Sequence, residues 1–158
     1  MRSNDLFRGL PYNLIQFTAL QEIMAGWLEV RMGSYHHLSD SLHVYDEEVP
    51  VVMASHLEET EENIDSLCLP KADFEPAFAE LLSAADRIID QSSTAEQLAQ
   101  TAMNAALPQS YRNILFVLCA EGARRRRDAS IMEAMISACT NGAYRQLYRR
   151  WLLRLQQT

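Results

Sequence analysis

The chain has 158 residues, 48% hydrophobic and 22% charged, which is ordinary for a soluble globular protein. This length suits one domain with a buried core, and we expect residues 1–158 to form a single domain. The formal net charge of −7 argues against nucleic acid as a partner.

The segment that opens the chain combines polar side chains with residues that restrict the backbone. Arg2 offers a planar fork of donors that suits a phosphate, and Ser3 adds a hydroxyl. Gly9 permits a positive φ or the close approach of a ligand to the backbone. Pro11 restrains the residue before it, which predicts a helix that begins between Pro11 and Asn13.

The segment up to Leu28 is apolar nearly all round, so it predicts a buried helix that ends before Gly33. A strand is predicted from Tyr35 to Tyr45, with an irregularity at Ser39 and Asp40. In a strand, His43 and Tyr45 lie on the same face, where two donors can hold a hydroxyl. A lone strand leaves its edges unpaired, so we expect this region to be exposed and irregular or to pair within a dimer.

Several rare residues of this region occur in one order and spacing, Arg2-Ser-x-Asp5-x-x-x-Gly9-x-Pro11-Tyr12-Asn13 and then His43-x-Tyr45. This pattern resembles the thymidylate synthase family, which includes pyrimidine-nucleotide hydroxymethylases. The resemblance covers residues 1–45. The family implies one-carbon transfer to C5 of a pyrimidine deoxynucleotide monophosphate, with 5,10-methylenetetrahydrofolate as the cofactor.

The resemblance also implies a role for each residue of the site. Arg2 and Ser3 would hold the 5′-phosphate, and Asp5 would lie beside the pyrimidine and the folate. Gly9 would let the backbone approach the ligand. Asn13 would read the pyrimidine edge. His43 and Tyr45 would hold the deoxyribose 3′-hydroxyl.

Asn13 bears on the choice of base. An amide donates to a uracil carbonyl and accepts from the ring N–H, whereas an ionised carboxylate only accepts and would suit cytosine better. The resemblance together with Asn13 therefore favours dUMP. The alternative is that Asn13 caps the helix that follows it.

The chain departs from the family in one respect that concerns catalysis. Family members attack the pyrimidine with a Cys upstream of the Arg-Ser motif, and this chain begins one residue before that motif. We therefore expect the C-terminal portion of such a protein, with no catalytic residue of its own and inactive alone. Its partners would be a pyrimidine nucleotide monophosphate and either a second copy or the missing N-terminal half. The alternative is a non-catalytic nucleotide-binding remnant or a helical protein-interaction module.

Residues 46–76 form an acidic connector after the nucleotide-site unit of residues 1–45. Between residues 46 and 65 no Lys or Arg offsets the carboxylates. We interpret this stretch as a solvated loop and helix start that includes an exposed His56. A metal site or a cationic partner is the alternative, although the spacing does not resemble a cation-binding loop.

Residues 77–158 are predicted to be helical. Phe78, Leu81, Leu82, Ala85, Ile88 and Ile89 share a helical face that Pro70 and Pro76 flank. Thr94 and Gln97 match a capping box for a helix to about Ala106, and Pro108 opens the next. Asp128 and Ser130 are candidate caps for another helix, and Asn141-Gly142 is a break or a C-cap.

Eight of the 14 Lys and Arg residues follow residue 123, including the run Arg124–Arg127. We interpret the run as the C-terminal end of a helix, where cations offset the helix dipole, followed by a solvated face. The alternatives are the acidic stretch of a neighbouring molecule or nucleic acid.

The cysteines and the apolar runs bear on location. An odd, sparse set of cysteines without paired metal spacing fits a reducing cytoplasm, and all three are predicted to be core thiols: Cys68, Cys119 and Cys139. Charged residues interrupt the N-terminal region, and the longest apolar run, Ile114 to Ala120, is short of the roughly 20 residues of a membrane span. We therefore expect a cytoplasmic α+β protein, helix-dominated, with five or six helices and a small strand group near residues 35–45.

Overall fold

Backbone hydrogen bonds organise the chain mainly into helices. The computed structural model describes residues 3–54 and 59–156. Within these residues it contains seven helices and a two-stranded parallel sheet, which confirms an α+β, helix-dominated fold with slightly more helices than expected. The elements are β1 Ser3–Asp5, α1 Gly9–Trp27, β2 Ser41–His43, α2 Val49–Ala54, α3 Lys71–Ile89, α4 Ala95–Asn104, α5 Gln109–Arg125, α6 Ala129–Ala138 and α7 Gly142–Leu155.

The described residues group into two compact units. The first unit lies within Met1–Glu59 and Leu67–Pro70, and the second unit lies within Thr60–Ser66 and Lys71–Thr158. That the whole chain acts as one domain stays a prediction.

The first unit is built on the parallel pair β1 and β2, which α1 connects. The register places Ser3 opposite Ser41 and Asp5 opposite His43. The predicted strand from Tyr35 to Tyr45 is wrong in length, because the paired segment has only three residues. Its partner β1 is equally short, since the chain turns immediately after Asp5.

Helix α1 starts earlier than predicted, at Gly9, and Pro11 lies within its first turn. The first four N–H groups of a helix have no partner inside it, so the missing N–H of Pro11 costs no helical hydrogen bond there. The prediction of a buried helix is wrong: only Ala25 and Gly26 of α1 are buried. Ile15, for example, is 68% exposed.

The second unit has its core along α5. This helix buries Leu115, Phe116 and Cys119 among others, and α4 packs Leu98 and Ala102 into the same core. Apolar burial of this kind is the main stabilising term in folding. Well-packed aromatic rings add to it, with Tyr111 of α5 edge-on to Phe74 of α3.

The predicted start and the predicted buried face of helix α3 are both wrong. It begins at Lys71, so Pro76 lies inside the helix and does not flank it. The residues it buries are Phe74, Ala77 and Ala84, whereas Ile89 of the predicted face is 76% exposed. Packing of Phe74 and Ala77 on either side of Pro76 offsets the hydrogen bond that the proline cannot donate.

The predicted starts of α4 and α6 are confirmed. Thr94 and Gln97 form a reciprocal capping box at the start of α4. The Asp128 side chain accepts from the N–H of Ile131, so Asp128 caps α6. Asn141-Gly142 lies at the break between α6 and α7, one of the two predicted alternatives. Asn141 is the N-cap of α7, accepting from the N–H of Tyr144, and not a C-cap.

Polar contacts show that the acidic connector is not solvated throughout. Glu48, whose side chain is 5% exposed, forms a 2.6 Å ion pair with the Arg8 guanidinium. Asp65 accepts from the amide of the fully buried Asn113, which also contacts Thr140. His56 lies outside the described residues, as does the rest of the segment 55–58.

The basic run Arg124–Arg127 ends α5, as predicted. Arg124 and Arg125 both pair with Glu121, and Arg124 also lies over the ring of Trp151. Arg126 donates to backbone carbonyls of Ile88, Asp90, Ser93 and Gly122. Arg126 therefore ties the end of α5 to the turn between α3 and α4.

The cysteines differ in environment. Cys119 and Cys139 are buried, and burial raises the pKa of both thiols, that of Cys119 to about 12. Cys68 is exposed, so its prediction as a core thiol is wrong. Through the described part of the chain, none of the helices has both the length and the apolar character needed to cross a membrane.

Candidate functional site: the motif residues of the first unit

The end of the parallel sheet brings together residues that are about 40 positions apart in the chain. Ser3 Oγ lies 3.2 Å from His43 Nδ1, within hydrogen-bond distance. The backbone continues this pairing, because the N–H of Leu6 donates to the carbonyl of His43. The ring of Tyr45 meets His43 edge-on, with 5.4 Å between ring centroids, although Tyr45 lies beyond the strand.

Asp5 ends β1 and organises the turn into α1. Its two carboxylate oxygens accept from the N–H groups of Phe7 and Arg8, at 2.9 and 3.1 Å. The bond from Phe7 is the main cause that lowers the pKa of Asp5, and the bond from Arg8 and the charge of His43 lower it further. Asp5 is therefore an ionised acceptor at neutral pH. A carboxylate has about four lone-pair sites, so Asp5 keeps acceptor capacity for a ligand.

The absence of a side chain at Gly9 lets another residue of the protein lie close to its backbone. Its φ is not positive, and a Cβ built on it would lie 2.5 Å from Asn4 Oδ1. Any side chain at position 9 would therefore displace Asn4. The expected positive φ is not found, and the residue that closely approaches Gly9 is Asn4.

Asn13 lies inside α1, in its second turn, so it does not cap the helix. The N-cap is Arg8, which makes no side-chain capping bond. Asn13 Nδ2 donates to Asn4 Oδ1 at 3.1 Å. Asn4 Nδ2 lies 3.0 Å from His37 Nε2, and His37 Nδ1 lies 3.1 Å from the Tyr35 hydroxyl.

Asn4 is the residue that the motif analysis missed. It lies at an unassigned position between Ser3 and Asp5, and it is 4% exposed. Side chains alternate along a strand, so Asn4 faces inward while Ser3 faces solvent. No strand was predicted at residues 3–5, so nothing in the sequence indicated that this amide is buried and requires partners.

Hydrogen bonds and ring contacts join the site residues into two groups. Ser3, His43 and Tyr45 form one group, and Asn13 joins the other through Asn4. Arg2 lies outside the described residues. No group of three or more His, Cys, Asp or Glu side chains suited to a metal ion is found among residues 3–54 and 59–156.

Comparison with known proteins identifies the family of the chain. The family model described as thymidylate synthase matches residues 1–90, more than half of the chain. The chain belongs to the thymidylate synthase family. These proteins are pyrimidine one-carbon transferases, and the match continues past the first 45 residues as far as the end of α3.

A curated relative matches over a shorter stretch. Deoxyuridylate hydroxymethyltransferase of Bacillus phage SP01 is 56% identical over 45 residues. The aligned stretch is 28% of this chain and 12% of that relative. The match therefore covers a small fraction of the length of that relative.

Proposed function

We propose that this chain holds a pyrimidine deoxynucleotide monophosphate, dUMP, for one-carbon transfer to C5 in a thymidylate synthase-type reaction. The observation that carries the proposal is the 3.2 Å contact between Ser3 and His43. It brings the phosphate-binding end of the family motif beside its sugar-binding end, as one bound nucleotide would require. Holding the substrate in place supplies much of the rate enhancement of such reactions.

Nucleotide binding would exchange protein contacts for ligand contacts. Ser3 Oγ would turn from His43 to a phosphate oxygen, together with Arg2. His43 and Tyr45 would then donate to the 3′-hydroxyl. Because Ser3 and His43 are exposed or half-buried, the exchange requires no opening of the core.

Asp5 fits the expected folate. Its ionised carboxylate keeps acceptor capacity after accepting from Phe7 and Arg8, which suits the N–H groups of a pterin ring. When bound, 5,10-methylenetetrahydrofolate would supply the one-carbon unit. Asn13 would read the pyrimidine edge.

The cysteines of the chain are poorly placed for attack on the nucleotide. Cys119 and Cys139 are buried in the second unit, with raised thiol pKa values. Cys68 precedes Leu69, which contacts Gly26 near the end of α1, whereas the site lies near Gly9. At 1.5 Å per residue these two glycines lie about 26 Å apart along the helix. We therefore propose that the nucleophilic Cys comes from outside this chain.

A nuclear magnetic resonance titration of the chain with dUMP tests the binding proposal. We expect amide shifts at Ser3 and His43 and a dissociation constant weaker than about 1 mM, equivalent to roughly −4 kcal/mol, because an exposed ion pair contributes only about 0–1 kcal/mol. Ser3→Ala and His43→Ala should each weaken binding. The matched controls are Ser34→Ala and His36→Ala, which change the same residue types in the connection between α1 and β2. Equal affinity in all four variants would refute the site.

Mass spectrometry tests the role of the cysteines. The chain mixed with dUMP and methylenetetrahydrofolate should form neither a one-carbon product nor a covalent adduct. An adduct on Cys68 would show that the nucleophile lies within the chain. A chain that binds no nucleotide would instead fit the alternative of a helical interaction module.

A further inference from the structure

The side-chain amide of asparagine does not by itself distinguish uracil from cytosine. Uracil presents a carbonyl acceptor beside an N–H donor, and cytosine presents an amino donor beside a nitrogen acceptor. An amide has one donor and one acceptor side, and half a turn of its plane exchanges them. Asn13 could therefore pair with either base unless something holds its orientation.

In this structure Asn4 holds that orientation. Its carbonyl oxygen faces Asn13, so Asn13 must turn its NH₂ group toward Asn4. Asn4 is 4% exposed, and leaving one of its buried polar atoms unpaired would be costly. The absent side chain of Gly9 leaves the room that the Asn4 oxygen occupies.

His37 in turn holds Asn4. The NH₂ group of Asn4 points at His37 Nε2, which must therefore accept and carry no proton. The proton of a neutral imidazole then lies on Nδ1, which donates to the Tyr35 hydroxyl oxygen. Tyr35, His37, Asn4 and Asn13 thus form one directional chain of hydrogen bonds, here called the amide relay.

We propose that the amide relay selects uracil over cytosine by fixing which side of the Asn13 amide faces the pyrimidine. The inference rests on the proposed function, since it requires Asn13 to contact the base. Asn4 and His37 are then positioning residues that act through Asn13. They determine the ratio of affinities for two bases, while Ser3 and His43 act on both nucleotides equally.

Substitution at His37 breaks the relay. His37→Phe keeps a ring but removes the acceptor, so the hydrogen bond that holds the Asn4 amide, and through it the orientation of Asn13, is lost. We expect the ratio of the dCMP dissociation constant to the dUMP dissociation constant, measured by the same titration, to fall about tenfold toward one. A tenfold change corresponds to the contribution of about one hydrogen bond. The neighbouring His36→Phe is the matched control and should leave the ratio unchanged. Unfolding of the variant would weaken the binding of both nucleotides to the same extent, and it would be visible in the amide spectrum.

Asn4→Asp separates orientation from mere packing. A carboxylate only accepts, so Asn13 must still donate to it, and His37 must turn a protonated Nε2 toward it. The preference for dUMP should therefore persist within about twofold, less than half of a typical hydrogen bond. If Asn4→Asp lost the preference as His37→Phe does, the relay would be only structural.

The tautomer of His37 tests the relay without any ligand. Long-range ¹H–¹⁵N correlation spectra should show the proton on Nδ1 in the unmodified chain and on Nε2 in Asn4→Asp. A proton on Nε2 in the unmodified chain would reverse the relay and overturn the inference. If nucleotides shift the amide signals but the ratio of the dCMP and dUMP dissociation constants is unchanged in His37→Phe, the relay is overturned and the proposed function stands. Absence of shifts with either nucleotide would overturn the proposed function and the specificity role together.

Discussion

Helices α1 and α5 have similar lengths, 19 and 17 residues, and both are rich in apolar side chains, yet they bury very different surfaces. In the first unit, α1 buries only Ala25 and Gly26. In the second unit, α5 buries residues along its whole length, from Tyr111 to Ala123. The difference shows that apolar composition makes a helix suitable for burial, but the elements packed around it decide what becomes buried.

The two units consequently depend on different interactions. The first unit orders its site with specific polar contacts: the amide relay, the turn at Asp5 and the Arg8–Glu48 ion pair. The second unit depends on apolar burial along α5, which polar groups such as Arg126 support from the periphery. Perturbations should therefore affect the two units in different ways.

The largest expected difference concerns thiol reactivity. The thiolate is the reactive form, and raising the pKa of Cys119 from 9.0 to about 12 reduces its thiolate fraction about a thousandfold. Labelling with an aromatic disulfide at neutral pH should modify the exposed Cys68 rapidly and the buried Cys119 and Cys139 only as the second unit unfolds. Cys68→Ser should abolish the fast phase. Rapid labelling of two or more thiols in the native chain would contradict the buried positions.

The second-largest expected difference between the units concerns the truncation of a leucine side chain. Leu115 of α5 is fully buried, so Leu115→Ala should lower the free energy of unfolding by about 2–5 kcal/mol through lost burial and a cavity. Leu20 of α1 is 49% exposed, and Leu20→Ala should change the free energy of unfolding by about 0.5 kcal/mol or less. Urea unfolding followed by circular dichroism measures both. Equal effects would mean that α1 is covered as fully as α5.

The smallest effect concerns the acid dependence of the first unit. Hydrogen bonds from the loop lower the pKa of Asp5 in the folded chain. Its contribution to stability is therefore present above the ordinary carboxyl pKa of 3.8 and is lost as the pH falls below that value. Asp5→Asn should destabilise the first unit at neutral pH, and the difference should disappear in acid.

Carbon-13 titration of the Asp5 carboxyl group and amide exchange in α1 check this dependence. Asp46→Asn, a change of another carboxylate in the same unit, is the control and should have no such effect. A carboxyl midpoint at or above 3.8 for Asp5 would contradict the observed turn.

Local signals in the sequence predicted the parts of the fold that depend on neighbouring residues. Thr94 with Gln97 and Asp128 with Ile131 are contacts across three residues, and their side-chain chemistry is sufficient to start a helix. Family membership was likewise recognisable from the order and spacing of the motif that begins at Arg2 and Ser3. These features need no knowledge of how distant segments meet.

The tertiary structure decided the rest. The short β2 and the burial of Glu48 and Asn4 each depend on a partner far along the chain. Asn4 shows the reason most clearly: nothing in its neighbours predicts a bond to His37, 33 residues away. Periodicity identifies which side chains can share a face, whereas long-range packing alone determines which face is covered and which polar groups must then find each other.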